Sequence, residues 1–490
     1  MIGRRSRGVS LFIPVVGYCS IWEYNEHHPP GAFGSWRMAA TMETDMAGLA
    51  NAHDDQHRLG QMENAIRTAS RPSDLKITDM RLAVVASIYD YPILRIDTNQ
   101  GVYGLGEVRD AGHVENALQF KSLLLGQNPC NVDMIFRAIK HLGNWGREGG
   151  GVSGIEIALW DLVGKVYGVP CYQLLGGKYR DRVRIYADTP APGEATPAGY
   201  AAAARQRQAL GLTFIKFDIR PHLFEDVEHG LSGQASPYEY GLGRGWRAPG
   251  SGQGTKLTER GIARAVEVVR AVREAVGWEV SLCTDHFGHG HLTAKEVIRL
   301  GEAFEPYNLA WIEDPMPWWD VDGHKQVTDA IRTPTAAGEE LYLWDGFREM
   351  IEKRAVDILH PDLLTSGGML ETKRIADYGE RYGLPTAMHF AGSPIAYMAA
   401  VHCAASFASF VALEHHGLDM PFWSSLVTGL PDDYMAGGYT LVPDRPGLGV
   451  DLNMEAVAAN LRTPGALFLP TEAWNTPKLG FWRPDDRWKE

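Results

Sequence analysis

Short apolar runs alternate with amphipathic helical stretches from about residue 181 to residue 416, and this alternation narrows the possible folds most. The runs are rich in β-branched residues, and within residues 259–277 a valine or isoleucine recurs every three or four positions. Strands that alternate with helices build βαβ units around a parallel sheet. Eight runs with seven intervening segments predict a (β/α)7β barrel of the TIM type. The predicted strands are 183–189, 214–219, 279–285, 309–315, 334–339, 356–362, 385–390 and 410–416.

The residues before the barrel predict a separate α+β domain over 76–180. Three runs with strand composition are joined by short turns, which is typical of a small antiparallel meander. Residues 153–167 follow with apolar side chains at helical spacing, and two glycines at 176–177 close the domain. The meander strands are predicted at 77–87, 92–98 and 102–108.

Composition excludes several classes of partner. The formal charge is −13 and no stripe of lysine and arginine occurs, so neither nucleic acid nor an anionic membrane surface is expected to bind. No run approaches the roughly 18 apolar residues that a membrane-spanning helix needs. Five scattered cysteines without a CxxC pair indicate reduced thiols and a cytoplasmic location.

Two segments depart from the repeating pattern. Residues 1–75 hold clusters of glycine, proline and histidine without periodicity, and we expect a poorly ordered N-terminal extension. Residues 222–256, rich in glycine, tyrosine and arginine, directly follow the second predicted barrel strand. Because barrels carry their active-site loops at this end, we interpret the insertion as a lid or an oligomer contact. The alternative is a surface loop without either role.

A polar residue ends each of six consecutive predicted barrel strands. Successive members of the series lie 28, 26, 23, 27 and 25 residues apart, about one βα unit each time. The carboxyl ends of parallel strands face one rim of a barrel, so these side chains are expected to meet there. Unpaired buried carboxylates are costly, and a hard divalent cation with oxygen ligands neutralises them. The series is Asp285, Glu313, Glu339, Asp362, His389 and Glu414.

Several stretches around these residues resemble the enolase superfamily, most closely its mandelate racemase/muconate lactonizing group. The resemblance runs from about 76 to 455 and is spread over many strands. It implies that the α+β domain caps the barrel of residues 181–435, and that the C-terminal segment 436–490 returns to this cap. It also implies a homo-oligomer. The matching stretches are 309–315 (LAWIEDP), 337–339 (AGE), 356–368 (VDILHPDLLTSGG), His389 and 446–449 (PGLG).

The resemblance further implies removal of the proton next to a substrate carboxylate. The resulting enediolate needs a cation and a hydrogen-bonding acid to stabilise its charge. An imidazole held by a carboxylate has a fixed tautomer and raised basicity, which suits the base, and this superfamily is known for histidine or lysine bases with magnesium. The implied roles are Mg²⁺ ligands for Asp285, Glu313 and Glu339, paired general base for Asp362 and His389, and hydrogen bonding to the substrate carboxylate for Glu414.

The chain departs from the family pattern at Lys216-Phe217-Asp218. Racemases of this group carry Lys-x-Lys here, and the second lysine is their base on the opposite face of the substrate. Its replacement by Asp218 favours β-elimination of water, which needs only one base. We therefore expect a lyase that dehydrates a sugar acid to a 2-keto-3-deoxy acid. The alternatives are a racemase, epimerase or cycloisomerase that acts on a carboxylate substrate through Lys216 and His389, and a non-catalytic binding protein.

The acid that protonates the leaving hydroxyl is left open by the sequence. Related dehydratases often place a histidine two positions after the first metal ligand, where this chain has Phe287. The candidates are Lys216, His286, His289 and His389 acting twice. Substrate contacts are expected from Asp218 and from residues near the strand ends and the capping domain. The remaining expected contacts are His286, His289, Arg109 and His113.

Overall fold

The computed structural model describes residues 71–477, except 110–111, 144–145, 191, 193–194, 220–222, 224–229, 233–255 and 286–291. It also describes three short antiparallel strands, Leu11–Val15, Tyr18–Trp22 and Met38–Ala39, in a separate compact unit that spans residues 1–65. The poor order expected of residues 1–75 otherwise lies outside the described residues and stays a prediction. Among the described residues, no helix has the length and apolarity needed to cross a membrane.

The α+β capping domain begins with a three-stranded antiparallel meander. Gly104 and Gly106 on its third strand are required by packing, because a Cβ there would lie 1.9 Å from the Ala158 carbonyl oxygen and 2.1 Å from that of Gly154. Glycine therefore lets the long helix rest directly on the strand. The strands are Ile77–Val85, Tyr91–Thr98 and Tyr103–Glu107, and the helices are Glu115–Leu118, Lys121–Leu124, Val132–Ile139, Gly150–Tyr167 and Cys171–Leu174.

Eight parallel strands close into a barrel, which confirms the predicted (β/α)7β fold. The eighth strand pairs with the first, with Leu413 opposite Ile185, so the parallel barrel has no free edge. The strands in order are Arg182–Ala187, Phe214–Asp218, Ser281–Asp285, Trp311–Glu313, Thr335–Ala337, Ile358–Leu359, Thr386–Met388 and Phe410–His415. The helices between them are Pro197–Ala209, Glu259–Val276, Ala294–Phe304, Val321–Ala330, Leu343–Lys353, Leu363–Ser366, Met369–Arg381 and Pro394–Ala405.

The chain after the barrel runs back along it to the capping domain. The backbone N–H of Arg462 donates to the Val84 carbonyl at 2.8 Å, and the Thr471 hydroxyl donates to that of Met80 at 2.7 Å. Two short strand pairs lie in this segment, Val427–Thr428 with Asp451–Leu452 and Met435–Ala436 with Tyr439–Leu441, and the helix Met454–Ala459 follows them. A third pair, Leu231–Ser232 with Lys256–Leu257, lies between the second and third barrel strands.

Two buried carboxylates of the capping domain bind the amino ends of barrel helices. Glu107 accepts the backbone N–H of Ser393 at 3.1 Å, directly before the helix that follows the seventh barrel strand. Glu156 accepts those of Met369 and Leu370 at 2.7 and 3.0 Å, at the helix that follows the sixth strand. Both satisfy helix N–H groups that would otherwise lack partners, so the two domains share helix caps.

Buried His402 makes folding stability depend on pH. Burial lowers the pKa of His402 to about 4, whereas an unfolded histidine titrates near 6.5. Between these values the unfolded chain binds a proton that the folded chain does not, so stability falls as pH drops from 6.5 towards 4.

We predict that His402 contributes about 2 kcal/mol to the stability lost between pH 7 and pH 5. In His402→Gln this loss should shrink by that amount, measured by chemical denaturation at both pH values. The matched control, His141→Asn, changes an exposed histidine and should leave the loss unaltered. An unchanged pH dependence in the His402 variant would contradict the assignment.

Candidate active site

The six residues predicted at the strand ends form one buried cluster at the carboxyl end of the barrel. Each follows or ends its own strand, from the third to the eighth, so the parallel arrangement brings them together. Such burial of charge is tolerated only where the groups neutralise one another or bind a cation. Their exposed fractions are 3% for Asp285, 0% for Glu313, 7% for Glu339, 0% for Asp362, 5% for His389 and 0% for Glu414.

Lys216, on the second barrel strand, places its ammonium among three of these carboxylates. Its Nζ lies 3.1 Å from Asp285, 3.0 Å from Glu313 and 2.6 Å from Glu414. Burial opposes the charge, but these carboxylates raise the pKa of Lys216 well above its ordinary value. In this structure Lys216 is therefore ion-paired with three carboxylates of the cluster.

His389 is held by a carboxylate that is itself held by an arginine. His389 Nδ1 lies 2.7 Å from Asp362 Oδ2, and Arg109 Nη1 donates to the same oxygen at 2.6 Å. The other oxygen of Asp362 accepts the backbone N–H of Leu364 at 2.6 Å. Although burial opposes it, Arg109 and His389 lower the pKa of Asp362, so the carboxylate is ionised and orients the imidazole.

The residues predicted to contact the substrate differ in their burial and in their distance from the cluster. Arg109 has no exposed surface, and its guanidinium lies 2.6 Å from Asp362 and 3.9 Å from Glu339. His113 is exposed, and within the described part of the chain no side-chain hydrogen bond links it to the cluster. Asp218 is 3% exposed and stands beside Asp285 in the register of the second and third strands. His286 and His289, with most of the 222–256 insertion, lie outside the described residues.

Two further buried side chains, Tyr186 and His360, also contact the cluster and were not predicted from the sequence. The Tyr186 hydroxyl donates to Glu414 at 2.8 Å and lies 3.2 Å from His360 Nε2. His360 Nδ1 lies 3.1 Å from the Ala387 carbonyl, and since a carbonyl only accepts, this nitrogen carries a proton. The alternation of strand residues could have indicated Tyr186, because Glu414 stands opposite it in the register.

A further histidine, His416, was also missed and lies at the edge of the cluster. Its Nε2 donates to Glu414 at 3.1 Å, and its ring centroid is 6.1 Å from that of His389. Burial opposes its protonation, but Glu414 raises the pKa of His416 above its ordinary value. The spacing of two residues from Glu414 was the available signal, since such neighbours share a side along an extended chain.

The donor set fits a hard divalent cation. Asp285, Glu313 and Glu339 offer carboxylate oxygens, the ligands that such a cation prefers. Burial, followed by the negative charges of Glu339, Asp285 and Glu313, raises the pKa of neighbouring Asp314 well above its ordinary value. Among the described residues, the groups whose ligand atoms come within 4.8 Å of one another are His389–Glu414–His416 and Glu313–His360–Glu414. The three predicted ligands do not form such a group, and Lys216 stands between two of them.

His389 can accept and return a proton. Its Nε2 lies 3.0 Å from Glu339 and 3.8 Å from Glu414. Burial opposes its protonation, but Glu339, Glu414 and Asp362 raise the pKa of His389 well above its ordinary value. The imidazole is thus fixed on one side by a carboxylate and directed on the other towards the polar centre of the cluster. This is the arrangement of a general base whose tautomer is set by its partner.

Comparison with known proteins agrees with this architecture. Residues 66–176 match the mandelate racemase/muconate lactonizing enzyme N-terminal domain, and residues 199–457 match the enolase C-terminal domain-like family. The chain is 37% identical to a D-xylonate dehydratase of Haloferax volcanii over 402 residues, covering 81% of this chain and 91% of that protein. It is 29% identical to a D-mannonate dehydratase of Caulobacter vibrioides, covering 78% and 94%.

A solved structure has the same fold. It is a mandelate racemase/muconate lactonizing enzyme-like protein from Rubrobacter xylanophilus, with a TM-score of 0.69 and 31% identity. The match covers 79% of this chain and 98% of that one. Both domains therefore have relatives of known structure.

We predict that Arg109→Met destabilises the protein by about 3–5 kcal/mol, because it leaves the buried Asp362 carboxylate short of its cation. Adding Asp362→Asn removes that unpaired charge, so the double variant should lose less stability than the two single variants summed. Chemical denaturation of all four proteins measures this. The control Arg95→Met breaks a partly exposed ion pair with Asp97 and should cost about 1 kcal/mol or less. Strictly additive losses would contradict a direct Arg109–Asp362 interaction.

Proposed function

Because the chain belongs to the mandelate racemase/muconate lactonizing enzyme family of the enolase superfamily, we propose that it dehydrates a sugar acid to a 2-keto-3-deoxy acid. The similar proteins include dehydratases whose names give D-xylonate, D-mannonate and D-galactonate as substrates. A hydro-lyase acting on such an acid needs a base at C2 and an acid at the C3 hydroxyl. The cluster contains one complete base, His389 held by Asp362.

The observation that carries this proposal is the environment of Lys216. Racemisation requires a proton acceptor on each face of the substrate, and Lys216 would have to supply the second. Its ammonium is instead bound by Asp285, Glu313 and Glu414 within 3.1 Å. Asp218 occupies the position of the second lysine of the family motif. One active base favours elimination over inversion.

The reaction begins at the imidazole of His389. Its Nε2 takes the C2 proton, and Asp362 stabilises the imidazolium through the Nδ1 hydrogen bond at 2.7 Å. The electrons of the C2–H bond form an enediolate with the carboxylate. They then form the C2–C3 double bond as the C3–O bond breaks, and the hydroxyl leaves as water after protonation. The enol that remains gains a proton at C3 and loses the proton of its C2 hydroxyl, which gives the 2-keto-3-deoxy acid.

We assign Mg²⁺ as the cofactor, held by Asp285, Glu313 and Glu339. When bound, the ion supplies positive charge that stabilises the doubly charged carboxylate end of the enediolate. The buried carboxylate oxygens of Asp285, Glu313 and Glu339 are the type of ligand that magnesium prefers. Lys216 contributes a single positive charge against several buried carboxylates, so room remains for a divalent cation in the charge balance.

We expect the purified protein with Mg²⁺ to form a 2-keto acid from at least one member of a panel of pentonates and hexonates. The reaction is run in D2O, with keto acid measured colorimetrically and C2 deuteration by NMR. His389→Asn should lower turnover by about 10³-fold or more, as for loss of a general base. The exposed-site control His141→Asn should retain wild-type turnover. Deuteration with inversion and no keto acid would instead identify an isomerase.

Magnesium should stabilise a Lys216→Met variant more than it stabilises the wild type. Without the ammonium, Asp285, Glu313 and Glu414 repel one another, and a divalent cation relieves more repulsion than before. The measurement is the rise in Tm between EDTA and excess Mg²⁺. The control Lys353→Met removes a partly exposed lysine paired with Asp322 and should show the wild-type rise. An equal or smaller rise in the Lys216 variant would refute this charge balance.

A further inference from the structure

Dehydration requires a proton donor for the leaving hydroxyl, and the described candidates for this role are poorly placed. This step rests on the proposed function. The Lys216 ammonium is bound by three carboxylates at 2.6–3.1 Å, which occupy its three N–H donors. His389 takes the first proton and stays hydrogen-bonded to Asp362. A separate acid beside His389 would allow proton removal and hydroxyl departure to be carried by different groups.

His416 occupies the position that such an acid needs. Its ring centroid is 6.1 Å from that of His389 and 6.4 Å from that of Tyr89, a residue of the capping-domain loop between the first two meander strands. Its side chain is 19% exposed, while His389 is 7% exposed. His416 thus stands at the cleft between barrel and capping domain, on the accessible side of the base.

Glu414 joins the two imidazoles through opposite oxygens. Its Oε1 accepts from His416 Nε2 at 3.1 Å, and its Oε2 lies 3.8 Å from His389 Nε2. Proton transfer operates over about 3 Å between heavy atoms, so rings 6.1 Å apart can reach groups on adjacent carbons of one bound molecule. The C2 hydrogen and the C3 hydroxyl of a sugar acid are such groups.

The neighbouring His415 has the opposite environment, which separates the two roles. It is buried, accepts the backbone N–H of Gly417 at 2.9 Å and lies 2.8 Å from the Tyr434 hydroxyl. Burial lowers the pKa of His415 to about 3, so it stays neutral as a structural residue. His416 instead faces the Glu414 carboxylate, which favours the protonated imidazolium.

We propose that His416 is the general acid that protonates the C3 hydroxyl as the C3–O bond breaks. His389 takes the C2 proton, the C2–H electron pair becomes the C2–C3 π bond, and the C3–O pair leaves with the oxygen. The proton from His416 completes the water molecule, and solvent later reprotonates His416. The reaction needs no oxidant, reductant or co-reactant.

The test separates proton removal from hydroxyl departure in His416→Asn and His416→Gln. Each variant is incubated with Mg²⁺ and the accepted sugar acid in D2O, and both C2 deuteration and keto acid are measured. We expect keto acid formation to fall about 10²–10⁴-fold, the usual contribution of a general acid, while C2 deuteration stays within a few-fold of wild type. The 3-deoxy-3-fluoro analogue should still eliminate, because fluoride leaves without a proton.

Parallel variants make each result decisive. His389→Asn should lose deuteration, elimination and fluoride release together, and His141→Asn should lose none of them. Equal loss of deuteration and elimination in the His416 variants, or no loss, would overturn the assignment. So would the expected pattern appearing in His286→Asn or His289→Asn instead. Unchanged Tm and Mg²⁺-dependent stabilisation verify folding of the variants. If wild type forms no keto acid from any sugar acid, the proposed function itself fails.

Discussion

The cost of burying several carboxylates at the end of one barrel organises the rest of this structure. Asp285, Glu313 and Glu414 are within 3.1 Å of a single ammonium, and nearly all their surface is hidden from water. Such a cluster can persist only where the surrounding groups supply positive charge or hydrogen-bond donors. Lys216, the Tyr186 hydroxyl and His416 meet part of this need around Glu414. The remaining excess of negative charge is what makes a divalent cation a suitable occupant.

The capping domain stabilises the barrel segments that carry the base and its carboxylate partner. Glu107 and Glu156 cap the helices that follow the seventh and sixth strands, which are the strands that carry His389 and Asp362. Arg109 then binds Asp362 directly. Because these contacts are buried, the position of the base is determined jointly by both domains. Precise placement matters, since small displacements of reacting groups reduce rates strongly.

Much of the fold and the strand-end cluster could be predicted from the sequence, for a physical reason. Parallel strands buried on both faces appear as short β-branched runs, and their carboxyl ends share one rim, so Asp285 and His389 could be placed together from spacing alone. The burial of Arg109 could not be predicted from the sequence, because it depends on how the capping domain packs against the barrel. His360 was missed because its role comes from a contact with Tyr186, which lies on a distant strand and leaves no periodic signal. Tyr186 and His416 were indicated only indirectly, through their positions relative to Glu414.

The arginine behind the base also has an evolutionary consequence. This barrel could accept a different cap only if that cap brought a cation to the same buried oxygen of Asp362. Loops that face the cleft, such as the one that carries Tyr89, are free of this requirement and can vary with the substrate. Exchange of the whole capping domain is therefore constrained in this protein by one buried ion pair, while changes within such loops are not.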